Sequence, residues 1–321
     1  MKTKKDQGGR LVQQPVTVAG NGRKLLLSVC RHWQLYLLIL PAMAYIFIFG
    51  YMPIYGVQIA FRDYTAKGGI TGSEWVGLKH IIKFIQYPKF WDLVRNTVRI
   101  SLYSMLIFPL PIIFALMLNE LKNQKFKKFV QMITYMPHFL SVVVVCSMLT
   151  LFFNKNHGVV NTVIEFFGGT RLDFFTIPEI FDDLFVWSGV WQSLGWSAII
   201  YIAALSGIPP ELVEAAKIDG ANRLQVIRHV NIPWIIPTIV IMLILSCGSL
   251  LSVGADKVLL LQNPLNLSTS QVISTYVHEV GINGGRFSYS TAISLFNNVV
   301  NIILLLIVNS ISKKVSDTGL W

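Results

Sequence analysis

Six long apolar runs, at about residues 35–60, 96–118, 129–153, 184–206, 234–253 and 291–311, limit what this chain can fold into more than any other feature. Each is long enough for a helix to cross roughly 30 Å of hydrocarbon. Inside a bilayer, backbone N–H and C=O groups find no water, so a spanning segment satisfies them internally as a helix. Prolines at Pro109, Pro111 and Pro137 predict a kink in the second run and an interruption in the third. The expectation is an all-α membrane protein of six transmembrane helices. A chain with 53% hydrophobic and 13% charged residues agrees with that reading.

The formal net charge of +11 does not point to nucleic acid, because the positives sit in loops and at the N-terminus beside apolar spans. Six spans put both termini on one side. That side holds sixteen Lys and Arg, against eleven on the other, so the positive-inside rule places both termini in the cytoplasm. Four regions follow: a basic tail over 1–34, the first span and an outer loop over 35–95, a main body over 96–311, and a short cytoplasmic tail over 312–321. The loop over 62–95 carries Trp75 and Trp91 and is expected to fold as a small element at the membrane surface. Cys30, Cys146 and Cys247 have no metal spacing, and no cleavable signal peptide is apparent.

Between the fourth and fifth spans lies a polar stretch, residues 209–237, too charged for lipid. Pro209 and Pro210 suit the start of a helix, where the missing N–H is not needed. Gly220 falls where that helix should stop, because glycine adopts the left-handed conformation at little cost. A second short helix follows, with Leu224, Ile227 and Val230 on one face, and is expected to stop near Pro233. The pattern predicts a helix–glycine–helix elbow. Its plainest reading is an amphipathic surface helix pair, and a DNA-reading helix-turn-helix is opposed by the membrane spans at both ends.

Glu214-Ala215-Ala216, three residues, Gly220, nine residues, Val230, one residue, Ile232-Pro233 resembles the EAA loop of bacterial ABC importer permeases. The family pattern is E-A-A, three residues, G, nine residues, I-x-L-P. Only Val230 and Ile232 differ, and both remain aliphatic. The resemblance implies the transmembrane fold of a type I ABC importer and a coupling role for Glu214, Ala215, Ala216, Asp219, Gly220, Val230, Ile232 and Pro233. Glu214 would anchor the elbow by charged hydrogen bonds, the alanines would allow close approach, and Gly220 would set the bend. Leu40-Pro41 in the first span and Ile59-Ala60-Phe61-Arg62-Asp63-Tyr64 after it are similar to the carbohydrate-uptake branch, nearest to oligosaccharide or polysaccharide permeases, alginate importers included. The partners implied are a second permease, usually a different chain, an ATPase dimer, a periplasmic solute-binding protein and a saccharide, in the bacterial inner membrane.

The chain itself offers no nucleotide site, since a P-loop needs glycine followed by lysine and that dipeptide occurs nowhere. It is therefore read as a transport subunit and not an enzyme, with no cofactor of its own; ATP and Mg belong to the partner ATPase. A membrane-embedded enzyme would need acids or histidines gathered at one membrane face, and the acidic residues of 165–183 are too dispersed. An ion-coupled secondary transporter is the alternative class. It would require ionisable groups at mid-span, whereas Arg95, Arg99, Asp256 and Lys257 all fall at span ends. Trp187, Trp191 and Trp196 offer aromatic faces for sugar rings or belong to an interfacial belt. Asn297, Asn298 and Asn301 line a polar path or bind neighbouring helices. Arg62, Lys67, Lys79, Lys83 and Lys89 are the cations available to an anionic polymer. Leu320 and Trp321 end a polar tail suited to the membrane surface or to a pocket on the ATPase.

Overall fold

The computed structural model describes residues 31–316 and Gly319, in two compact units that divide after Val57. The basic tail before residue 31, with Cys30, and the tail residues Leu320 and Trp321 lie outside the described residues. In the first unit, α1 (Trp33–Ile46) continues through a π-turn at Phe47–Tyr51 into a short helix at Met52–Gly56. It buries none of its side chains, as expected of a helix apolar on every side whose solvent is lipid.

The second unit opens with a small hairpin. Strand β1 (Arg62–Thr65) pairs antiparallel with β2 (Ser73–Trp75), Arg62 opposite Trp75 and Asp63 opposite Glu74. The Arg62 guanidinium donates to the Thr71 and Ser73 carbonyls and lies over the Trp75 ring. Helix α2 (Lys79–Ile85) follows, and its Lys79 binds Asp63 at 2.5 Å, holding that carboxyl below its usual range. The loop over 62–95 is thus a folded element, pinned by a hydrogen bond from the Tyr64 amide to the Ser288 hydroxyl.

α3 (Phe90–Leu106) and α4 (Pro109–Asn119) form one span broken at 107–108, where the prolines begin the second segment. The third run is interrupted, as Pro137 predicts. α5 (Gln124–Tyr135) and α6 (Val142–Phe152) belong to segments that meet at 101°. Pro137 removes a donor, Leu140 turns extended at ψ 136°, and Ser141 caps a fresh helix by accepting from the Val144 amide. A short helix, α7 (Val159–Phe166), leads to α8 (Phe181–Ser206), which turns 74° into α9 (Pro210–Ile218).

The helix after Gly220 does not stop near Pro233. α10 (Arg223–Val226) runs through a π-turn at Ile227–Asn231 into α11 (Ile232–Gly248) as one 26-residue helix. In the π-turn the Ile232 amide bonds the Ile227 carbonyl, five residues back, so the next residue's missing N–H falls beside a ladder already out of step. The expected face is revised as well: Val226 is buried and Leu224 points outward. Beyond it come α12 (Ala255–Leu261), α13 (Ile273–His278) and α14 (Phe287–Ser316). Among the described residues, four helices are long and apolar enough to cross a membrane, and six if each bent pair is one span.

Three apolar clusters hold the second unit together. Phe84, Phe90, Leu93, Tyr276, Tyr289 and Ile293 join α2, α3, α13 and α14. Ile100, Cys146, Phe181, Val258 and Val272 join α3, α6, α8 and α12. Ala115, Ala198, Tyr201, Leu205 and Ile235 join α4, α8 and α11, directly behind the elbow. Two helices meet closely at Gly195 on α8, where an added Cβ would stand 2.4 Å from the Thr134 carbonyl oxygen of α5. Only the absent side chain lets these two backbones meet.

Candidate functional site

The elbow is built by two capping motifs placed end to end. Asp219 closes α9, and Gly220 follows at φ +82°, where an L side chain is strained. Its amide bonds the Lys217 carbonyl, and the Ala221 amide bonds the Ala216 carbonyl, which satisfies the terminal acceptors in a Schellman arrangement. Asn222 then opens α10: its side chain accepts from the Gln225 amide at 2.9 Å while the Gln225 side chain accepts from the Asn222 amide at 2.7 Å. The turn between the helices is therefore fixed by its own backbone together with the Asn222 and Gln225 side chains. The Asn222–Gln225 box was visible as a sequence signal, and the sequence reading passed over it.

Around this turn the coupling residues divide in two. Glu214, Ala215, Asp219 and Gly220 are exposed, and Ala216 is half-buried. Among the described residues, none hydrogen-bonds or ion-pairs with the Glu214 side chain, so its carboxylate is open to solvent. Val230 and Ile232 are half-buried in the π-turn and at the start of α11, and Ile232 packs against the cluster behind the elbow; Pro233 is exposed. Ile218 is 87% exposed and Leu224 76% exposed, one on each side of the Gly220 turn. Two large aliphatic side chains held outward by a rigid polar turn form a ready contact surface.

Two cavities lie along α8. One, about 640 Å³, is lined by Phe108, Gly189, Ser193, Trp196, Ser246 and Lys257 among others. The other, about 520 Å³, is lined by Leu149, Phe153, Trp187 and Trp191. The three tryptophans therefore do not share one chamber. The Trp187 indole donates to the Tyr103 hydroxyl at 3.0 Å, and Trp196 stacks on His138 with centroids 4.3 Å apart.

Asn297 and Asn301 face away from both cavities and clasp the chain end of α11. The Asn297 amide donates to the Leu251 carbonyl, while Asn301 accepts from the Leu251 amide and donates to the Ser252 hydroxyl. Helix ends leave such groups unpaired, and these two side chains supply the partners. Asn298 is exposed on the same helix. No group of three His, Cys, Asp or Glu that could hold a metal occurs among the described residues.

Residues 107–317 match the family described as the binding-protein-dependent transport system inner membrane component. The chain belongs to that family. It is 42% identical over 300 residues to the polygalacturonan/rhamnogalacturonan transport system permease protein YteP of Bacillus subtilis, covering 93% of this chain and 94% of the relative. It is 40% identical to protein LplB of the same organism, across 96% of this chain and 97% of that one. A crystal structure of a bacterial ABC transporter that imports the acidic polysaccharide alginate contains a chain of the same fold, with TM-score 0.83 and 36% identity over 91% of this chain and 99% of that chain. A second alginate transporter structure, bound to a periplasmic protein carrying an alginate pentasaccharide, gives TM-score 0.84 over 92% of this chain and all of that one. This permease is accordingly a multi-pass inner-membrane component of an ABC transporter, and the elbow lies inside the family-matched region.

Proposed function

We propose that the chain forms half of the translocation path of an ATP-driven importer for an acidic oligo- or polysaccharide. The other half is a second, different permease, and an ATPase dimer binding ATP and Mg docks on the elbow. A periplasmic binding protein delivers the saccharide, and both termini face the cytoplasm. We assign the tail residues Leu320 and Trp321 a contact with the ATPase.

The observation that carries this reading is the elbow: a turn locked by two capping motifs, at the end of a 26-residue span, presenting Ile218, Leu224 and the exposed Glu214 outward. Rotation of an ATPase beneath such a turn is passed into α8 and α11 because the cluster behind it joins them. The more similar relatives support the substrate class, since those named by substrate carry polygalacturonan and rhamnogalacturonan or alginate, at 42% and 36% identity, whereas relatives at 25% and 27% identity carry arabinooligosaccharides or trehalose and maltose. The ion-gradient alternative finds no support among them.

The test is affinity purification of the tagged chain from mild detergent, with co-purifying proteins identified and assayed for ATP hydrolysis. An ATPase and a second permease should be recovered, and the Ile218→Glu, Leu224→Glu double variant should lose the ATPase while keeping the permease. Retention of the ATPase by that variant would remove the elbow from the interface.

A further inference from the structure

The importer reading leaves one buried charge unexplained. Lys257 on α12 is 9% exposed, and among the described residues no carboxylate pairs with it. Its amine donates to the Phe185 carbonyl at 2.7 Å and lies 4.8 Å from the centre of the Phe185 ring. A lysine ammonium has three donors, and these contacts occupy one. Burying an unpaired cation is costly, and a methionine would fill the same space at less expense.

The remaining donors have a cavity to face. Lys257 lines the 640 Å³ chamber on α8, a volume within the range of small-ligand sites. Gly189 stands one helical turn beyond Phe185, and a Cβ there would lie 3.4 Å from the Lys257 Nζ, in contact with it. The missing side chain leaves that flank of the ammonium uncovered. Further along the same face come Ser193, four residues on, and Trp196, seven residues on, about 10 Å along the axis from Gly189. Charge, hydroxyl and aromatic ring thus line one wall of one chamber.

Of the cations singled out in the loop over 62–95, Lys67 and Lys89 are exposed, Lys89 on a separate cavity of about 690 Å³, and the other three are engaged. Arg62 is held by two carbonyls and Trp75, Lys79 is paired with Asp63, and Lys83 lies over the Tyr289 ring. Lys257, placed at a span end by the sequence, is the cation inside the chamber.

We propose that Lys257 is the carboxylate-recognising residue of the translocation path, binding the uronate group of an acidic saccharide while Trp196 meets a sugar face. The assignment rests on the acidic-saccharide reading above. Burial also pushes the Lys257 amine down to about 8, so it is charged below that pH and neutral above it. The titratable group facing it is the Cys146 thiol of α6; α8 faces it with Phe185 and Gly189, and the segment entering α13 packs beside α12 with the apolar Val272.

The experiment uses the complete transporter, co-produced with its partner subunits and reconstituted in proteoliposomes, with labelled tetragalacturonate and its fully methyl-esterified form as probes. The readout is the ratio of acid to ester uptake. Lys257→Met should lower that ratio about ten- to a hundred-fold, the scale of a lost charge-assisted hydrogen bond, and Lys257→Arg should preserve it. Acid uptake by the parent should fall as pH rises through 8, while Lys257→Arg, whose guanidinium stays charged, should show no such fall. An unchanged ratio in Lys257→Met, or the same pH profile in parent and arginine variant, would overturn the assignment alone. Failure of the parent transporter to move either saccharide would instead refute the substrate reading, and the assignment with it.

Discussion

Replacing Gly220 by valine isolates the backbone's share of the elbow. At φ +82° an L residue pays about 1–2 kcal/mol, and a β-branched one lies at the upper end. An added Cβ meets nothing within 4 Å, so no steric clash enters and the whole effect is conformational. The Gly220–Lys217 and Ala221–Ala216 bonds hold the native turn in parent and variant alike, so they do not enter the difference. The strain of about 1–2 kcal/mol alone shifts the population toward a rearranged elbow roughly 5- to 30-fold. Asparagine tolerates the left-handed region, so Gly220→Asn should stay near the parent, with alanine between asparagine and valine. The assay is ATP hydrolysed per saccharide imported by the reconstituted transporter, alongside limited proteolysis across residues 219–223. Coupling should worsen in the order Asn, Ala, Val. If asparagine and valine behave alike, the left-handed conformation is not what the elbow needs, and the reasoning fails.

Gly195→Ala should destabilise the permease by about 1–3 kcal/mol, because the new Cβ meets the Thr134 backbone carbonyl and neither helix can move aside cheaply; an unchanged melting temperature in detergent would show that α5 and α8 separate more easily than their packing indicates. Asn301→Ala should cost about 1–3 kcal/mol by leaving the buried Leu251 amide without its acceptor. Thermal unfolding would check this too, and a neutral result would mean that water replaces the asparagine.

The elbow was the most legible part of the chain, because its chemistry is local. Proline before α9 and glycine after it read directly as a start and a stop, and the structure puts them there. The continuation through Pro233 was not legible. It depends on a π-turn at Ile227–Asn231, whose shifted hydrogen bonds no proline rule anticipates. The 101° break at Leu140–Ser141 went beyond the interruption expected of Pro137, since the new cap at Ser141 opens a separate helix. Asn297 and Asn301 read as bonding neighbouring helices in preference to lining a path, and their bonds to Leu251 decide for the former. Lys257 stays at a span end, as the sequence placed it, beside Phe185 near the start of α8; its place on the chamber wall was not legible because it depends on α12 packing back against α8.

The central claim is that ATP hydrolysed on a partner chain moves saccharide through this permease by way of the elbow. The most direct measurement is saccharide uptake into proteoliposomes holding the complete transporter and its binding protein, with ATP inside and no ion gradient. Uptake should require hydrolysable ATP, persist when proton and sodium gradients are collapsed, and disappear in the Ile218→Glu, Leu224→Glu variant. Uptake that proceeds without ATP and follows an imposed ion gradient would contradict the account.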